Sequence, residues 1–163
     1  MDGVPLRELV TALNAGEVDL LVMLGGNPVY NAPADLNFGK VLLDRKDKTV
    51  RVHLSEYLDE TSEVCQWHIP AAHYLESWSD VRAFDGTATI IQPLINPLYG
   101  GKTAHEVVAV LADQTSKTSF ELVQDYWQQD FEGRGEGGSF AQFWRRALHE
   151  GIVPGTEAES ASA

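Results

Sequence analysis

Cysteine is almost absent from this chain. Cys65 stands alone, which excludes an internal disulfide, an iron–sulfur cluster held by this chain alone and any cysteine-rich zinc site. Basic residues are also scarce: twelve against twenty-four acidic ones, for a formal net charge of −12. Such a surface repels a phosphate backbone, so nucleic acid is not an expected partner. An anionic ligand would have to be held by local groups, such as backbone N–H at a strand-to-helix turn. No apolar run approaches the ~20 residues a membrane helix needs. Met1-Asp2-Gly3-Val4-Pro5 has no basic region leading into an apolar stretch, so no export signal is expected in this segment. A Gly-x-Ser-x-Gly elbow is missing too, which argues against an α/β-hydrolase.

What remains is the composition of an ordinary soluble domain. The chain has 163 residues, 44% of them hydrophobic and 22% charged, enough to bury a real core. Leu6, Leu9, Val10 and Leu13 recur at i, i+3, i+4 and i+7, which predicts a helix, with Gly16 as its stop. Asp19 to Leu24 is continuously apolar after its first residue and ends in Gly25-Gly26-Asn27-Pro28. Such a run predicts a central parallel strand buried on both faces, with the turn at its carboxyl end.

Pro33 to Asp44 reads as a second helix with Leu36, Val41 and Leu42 inward. Thr49 to Leu54, Cys65 to Ile69 and Thr87 to Gln92 read as strands, with a short turn or helix starting at Asp59. Thr103 to Leu111 is a further helix, with Val107, Val108 and Leu111 spaced to face a core. The stretch from Ala71 to Gly86 shows no period and is expected to be an irregular loop layer. Strands alternating with helices over short links predict a Rossmann-like α/β fold with a mostly parallel sheet flanked by helices.

Past about Asp113 the character changes. Phe120 to Phe131 and Phe140 to Leu148 predict two aromatic-rich helices joined by the flexible Gly133-Arg134-Gly135-Glu136-Gly137-Gly138. Two such helices cannot bury so many rings against each other alone and must pack on something else. The expected organisation is therefore an α/β body over 1–113, a helical extension over 114–151, and a small, polar, disordered tail over 152–163.

Several motifs carry chemistry weakly. Asn96 to Thr103 nearly spells a P-loop, but Asn96 replaces the first glycine and Pro97 removes an N–H that a phosphate cradle needs. Cys65 and His68 have metal-ligand spacing without a second ligand pair. His73 and Glu76 could do acid–base work, although a surface pair on a loop explains them as well. The four tryptophans, Trp67, Trp78, Trp127 and Trp144, read as packing rather than redox relays.

Three stretches occur in the order of a known family. They are Leu20-Leu21-Val22-Met23-Leu24-Gly25-Gly26-Asn27-Pro28, then Glu60-Thr61-Ser62-Glu63-Val64-Cys65-Gln66-Trp67-His68-Ile69-Pro70, then Leu75-Glu76, Asp85-Gly86, Gln92-Pro93 and Pro97. This series resembles the molybdopterin oxidoreductases, the group of formate dehydrogenase and dimethyl sulfoxide reductase. The run His73 to Asp80 and the C-terminal Phe143 to Gly151 resemble one branch, the molybdopterin-oxidoreductase-like subunit of alternative complex III. The resemblance implies an internal piece of a larger protein, a subdomain lining one arm of a bis-molybdopterin guanine dinucleotide cofactor. It places Gly25, Gly26, Asn27, Pro28, Glu76, Asp85 and Gly86 at that cofactor.

The same resemblance implies that the metal ligand and cluster cysteines lie in other segments, so the piece alone is inactive and binds no metal. Its implied partners are the remaining domains of the parent oxidoreductase, an iron–sulfur domain and membrane quinol-oxidising subunits, in an exported, periplasm-facing parent. The sequence also departs from the family. Cys65-Gln66 stands for Ala-Asp, Ser79 for a glycine, and Asp85-Gly86-Thr87 lacks the arginine of Glu-Gly-Arg. These losses fit the alternative expectation of a scaffold or interaction domain that keeps the fold without the cofactor.

Overall fold

The computed structural model describes residues 4–135 and 137–158. The chain is mixed α/β, with a parallel three-stranded sheet and a separate antiparallel pair of strands. It divides into two compact units. The first holds the chain up to Ala71 together with Gly100–Ala104, and the second holds Ala72–Tyr99 and the chain from His105 onward.

In the first unit, α1 (Val4–Ala15) turns Leu6, Leu9, Val10 and Leu13 into one core, and Gly16 ends it at φ +79°. Strand β1 (Leu20–Leu24) pairs in parallel with β2 (Val50–Ser55), which pairs in parallel with β3 (Trp67–Pro70). The middle strand is therefore β2, and β1 lies at an edge, contrary to the expectation drawn from its apolar run. Nor is β1 buried on both faces. Met23 joins Leu13, Phe38, Val41 and Leu42 in the core, whereas Leu20 remains 50% exposed on the opposite face. An unbroken apolar run cannot reveal which of its alternate residues will be covered.

The predicted Pro33–Asp44 helix is split. A 3-10 turn at Ala34–Leu36 gives way to α3 (Phe38–Asp44) through Asn37, which takes the left-handed conformation. The inward residues Leu36, Val41 and Leu42 are buried as expected. Two one-turn helices follow the strands: α2 (Pro28–Asn31) after β1, with Pro28 in its first turn where no N–H is needed, and α4 (Glu60–Glu63) after β2, capped by Asp59. Arg51 is buried on β2 and donates to the Leu42 carbonyl and to Gln66 Oε1, so its guanidinium is hydrogen-bonded where water cannot reach it.

The second unit contains a strand the sequence did not announce. β4 (Ser79–Arg82) lies in the stretch expected to be irregular and pairs antiparallel with β5 (Ala88–Ile91), so β5 belongs to a hairpin and not to the parallel sheet. In helix α5 (Ala104–Leu111) Val107 is buried, but Val108 and Leu111 face outward rather than inward. Helices α6 (Ser119–Gly133) and α7 (Phe140–Glu150) supply Val123, Trp127, Phe131, Phe143, Trp144 and Ala147 to a core shared with Ala88 and Ile90 of the hairpin. A capping box between Thr118 and Glu121 starts α6, and Gly151 ends α7.

The segment expected to open a disordered tail is docked instead. Val153 is buried and its N–H donates to the Ala88 carbonyl at 2.8 Å. The Thr156 hydroxyl accepts from Ala88 N–H at 2.8 Å and donates to the Val153 carbonyl at 2.7 Å. Of that expected tail, 159–163 lies outside the described residues.

Candidate functional site

Beyond Leu24 the chain turns through Gly25 and Gly26, both at positive φ (+78° and +73°). A Cβ at either glycine would meet nothing within 4 Å, so backbone angle, not crowding by this chain, demands glycine here. Gly25 N–H donates to the Leu54 carbonyl at 2.8 Å, which fixes the turn to β2. Among the described residues the N–H groups of Gly26 and Asn27 find no acceptor, so two backbone donors stand open at the carboxyl end of a parallel strand. That is where ligands of open α/β sheets sit.

The Asn27 side chain is less free than the sequence suggested. Its Nδ2 donates to Glu60 Oε2 at 2.6 Å, and its Oδ1 accepts from the Thr61 hydroxyl at 2.8 Å and from Tyr30 N–H at 3.4 Å. The Thr61 hydroxyl also accepts from Val29 N–H at 3.0 Å. Asn27 thus caps α2 and ties it to α4, leaving its backbone rather than its amide to offer a ligand. Pro28 supplies only its ring and carbonyl, and that carbonyl accepts from Ala32 N–H.

Acidic groups surround this corner. The Asn27 amide holds the exposed Glu60 carboxyl below its ordinary range. Burial alone would raise Asp59, but hydrogen bonds from the Ser62 main chain and hydroxyl, with His53 beside it, outweigh that and leave it lowered. His53, fully buried on β2, brings Nδ1 to 2.8 Å from Ser62 Oγ and 3.5 Å from Asp59 Oδ1. This is not a hydrolytic triad. The hydroxyl and the carboxylate lie at the same ring nitrogen, and Ser62 is buried, whereas a triad places them at opposite nitrogens with the hydroxyl open to substrate.

Glu76, Asp85 and Gly86 belong to the second unit, and the Gly25–Pro28 turn belongs to the first. Glu76 N–H closes a tight turn onto the His73 carbonyl at 2.8 Å, and no ion pair joins the His73 and Glu76 side chains among the described residues. Asp85 and Gly86 make the reversal of the β4–β5 hairpin. Asp85 Oδ1 accepts from Thr87 N–H at 3.0 Å, and Gly86 takes φ +88°. A Cβ on Gly86 would stand 2.9 Å from the Thr156 carbonyl oxygen, so this glycine is required by packing as well as by angle. Arg82, across the hairpin, donates to the Gly86 carbonyl at 2.7 Å.

The P-loop likeness does not survive. Lys102 N–H is committed to the Pro70 carbonyl in a bridge between Ala71 and Lys102, and β5 ends at Ile91, so no strand leads directly into that loop. Cys65 is half-buried against the α1–α3 core, and burial pushes its thiol up. Among the described residues no group of three or more His, Cys, Asp or Glu side chains could hold a metal ion.

Two features went unread in the sequence. His53 appeared only as one residue of an alternating strand, on the polar face with Arg51 and Ser55, so nothing in the pattern marked it as buried. The second is a cleft of about 330 Å³ in the second unit, lined by Asp80, Ala88, His105, Val123, Tyr126 and Trp127 among others. There Trp127 Nε1–H donates to Asp80 Oδ2 at 2.9 Å, while His105 Nε2 stands 4.0 Å from Asp80 Oδ1. Since β4 itself was not anticipated, nothing in the sequence could have brought these three together.

The sheet and its turn define a segment of the open parallel α/β class. No protein-family model matches the chain, and no curated protein does. Among solved structures its fold is similar to part of acetylene hydratase from Pelobacter acetylenicus, with a TM-score of 0.56 and 18% identity. The match covers 71% of this chain and only 17% of that one, and at this identity it is a likeness of fold. No helix among the described residues is long and apolar enough to cross a membrane.

Proposed function

We propose that this chain is a cofactor-side subdomain of a molybdopterin-oxidoreductase-like protein, its Gly25–Pro28 turn facing one arm of a molybdopterin guanine dinucleotide. The observation that carries the reading is the turn itself: two glycines at positive φ, neither crowded at its Cβ position, with the N–H groups of Gly26 and Asn27 finding no acceptor among the described residues at a strand's carboxyl end. The order of the sequence motifs supports it. So does the likeness in fold to acetylene hydratase, an enzyme of the molybdopterin group. When bound, the cofactor supplies the redox or Lewis-acid chemistry at its metal. This chain's part is to bind and orient.

The chemistry of the corner narrows which part of the cofactor it suits. Asp59, Glu60 and Glu63 lie together on and before α4, beside Asn27, and a diphosphate would be repelled there. Backbone N–H donors next to a carboxylate suit a neutral edge that both accepts and donates, such as that of a guanine base, through Gly26, Asn27 and Glu60.

A second reading, a scaffold domain of an assembly like alternative complex III that has lost the cofactor, is favoured by one observation. The Asn27 side chain is engaged within the chain, by Glu60 and Thr61, rather than left to a ligand. Titration of the chain with guanosine and with GDP, followed by amide shifts, separates the two. Weak binding with the largest shifts at Gly25, Gly26 and Asn27, guanosine matching GDP, supports the cofactor reading. Silence at that turn with both ligands overturns it in favour of the scaffold. Neither reading gives the isolated chain turnover of its own, since one subdomain supplies a single wall of a site.

A further inference from the structure

His53 occupies the middle strand on the covered face of the sheet, where register sets it beside Met23 and His68. A fully buried imidazole there is costly unless both ring nitrogens are satisfied, and both are. Nε2 lies 2.9 Å from the Gly26 carbonyl oxygen and Nδ1 lies 2.8 Å from Ser62 Oγ. A carbonyl can only accept, so Nε2 carries a proton and donates to Gly26, while Nδ1 faces the Ser62 hydroxyl with Asp59 Oδ1 3.5 Å away. One ring therefore joins the turn after β1 to α4, the two segments that frame the open donors.

The turn has two other anchors, Gly25 N–H on Leu54 and the Asn27 side chain on α4. Neither holds the carbonyl of the Gly26–Asn27 peptide, and Gly26, lacking a Cβ, leaves that plane a wide range of orientation on its N-terminal side. The imidazole does fix it, by holding the Gly26 carbonyl inward, and the N–H of Asn27 in that same peptide plane then points the opposite way.

We propose that His53 is a positioning residue: through its Nε2–H it holds the Gly26 carbonyl and so aims the open N–H of Asn27 outward from the carboxyl end of the sheet. The proposal rests on the reading of the turn as a ligand-facing surface, but its test needs no ligand. An apolar residue at this place would fill the core equally well and leave the Gly26 carbonyl without its donor.

The test uses the full chain with His53→Leu and His53→Gln, the second retaining a side-chain N–H donor. Ring nitrogen shifts of the unaltered protein should show Nε2 protonated. His53→Leu should move the amide resonances of Gly26 and Asn27 and speed exchange at Gly25 N–H by about tenfold, while the methyl resonances of Leu13 and Leu42 stay in place. His53→Gln should bring the Gly26 and Asn27 resonances most of the way back. A proton on Nδ1 instead of Nε2 would overturn the proposal. So would unchanged Gly26 and Asn27 resonances in a folded His53→Leu, or no recovery in a folded His53→Gln. If His53→Leu does not fold, the Nε2 proton and the glutamine variant decide alone. Failure of guanosine or GDP to bind would sink the cofactor reading and leave these results standing.

Discussion

The two units keep their cores in different ways. The first gathers its main aliphatic core on one face of the sheet, and register places Leu20, Val50, Val52, Leu54 and Trp67 on the other, where Leu54 is buried but Leu20 is 50% and Trp67 65% exposed. Its interior mixes aliphatic packing with buried polar groups, Arg51, His53, Thr61 and Ser62, each hydrogen-bonded. The second closes around stacked and edge-on rings, with Trp78 to Phe120 and Phe131 to Phe143 each 4.9 Å apart, and seals itself with its own C-terminal segment. Parallel sheets in α/β proteins are normally covered on both sides, and the exposed part of this face distinguishes the first unit from the second, whose rings gather in one core.

The largest effect that would test this contrast is expected at Trp127, which is fully buried and whose indole N–H holds Asp80. Trp127→Ala should cost about 3–5 kcal/mol, read by denaturant unfolding followed through Trp144 and Trp78. Retention of near-native stability would mean the rings of the second unit are not its core. A paired glycine comparison comes next. Gly86→Ala adds a clash with the Thr156 carbonyl to its backbone strain and should cost on the order of 3 kcal/mol. Gly25→Ala, with open space around it, should cost only the strain of its left-handed angle, about 1 kcal/mol. Equal losses would erase the distinction between a glycine needed for packing and one needed for angle alone.

Loss of the Thr118 cap on α6 is smaller again. Thr118→Ala should cost about 1 kcal/mol in thermal unfolding. Acid should act in the same direction on both units. Asp59, Asp85 and Glu121 are all held below their ordinary range by hydrogen bonds. A lowered carboxyl stabilises the fold above its unfolded value and loses that contribution as pH falls through its folded one. Stability should therefore be flat at neutral pH and decline once pH drops below the ordinary carboxylate range, and Asp59→Asn should make the decline shallower. Smallest of all is Trp67→Ser on the open sheet face, expected to change stability by no more than about 0.5 kcal/mol while reducing binding of a hydrophobic dye. A large loss of stability there would show that the face is already covered.

Local pattern revealed most of the elements and little of their arrangement. Helix α1, with four apolar residues on one stripe, and the aromatic helices α6 and α7 were legible because a helix carries its period within ten residues or so. Strand order was not. Nothing within Leu20–Leu24 says that Val50–Ser55 will lie at the centre, since that depends on which strands pair. Strand β4 escaped because Ser79-Asp80-Val81-Arg82 has a single apolar residue and owes its extended form to β5. For the turn, glycine chemistry pointed to the right place, but the engagement of Asn27 by Glu60 and Thr61 links residues more than thirty positions apart, and His53 reached significance only through the ends of its ring.

The docked C-terminal segment has a consequence for how the chain is made. Thr156 bonds Ala88 across 68 positions of sequence, and the hairpin reversal at Gly86 is packed on that same segment. A ribosome would deliver the strands of the parallel sheet well before it released Val153 and Thr156. The first unit can therefore form while the chain is still being synthesised, whereas the hairpin waits, its edge unsealed, until Thr156 emerges.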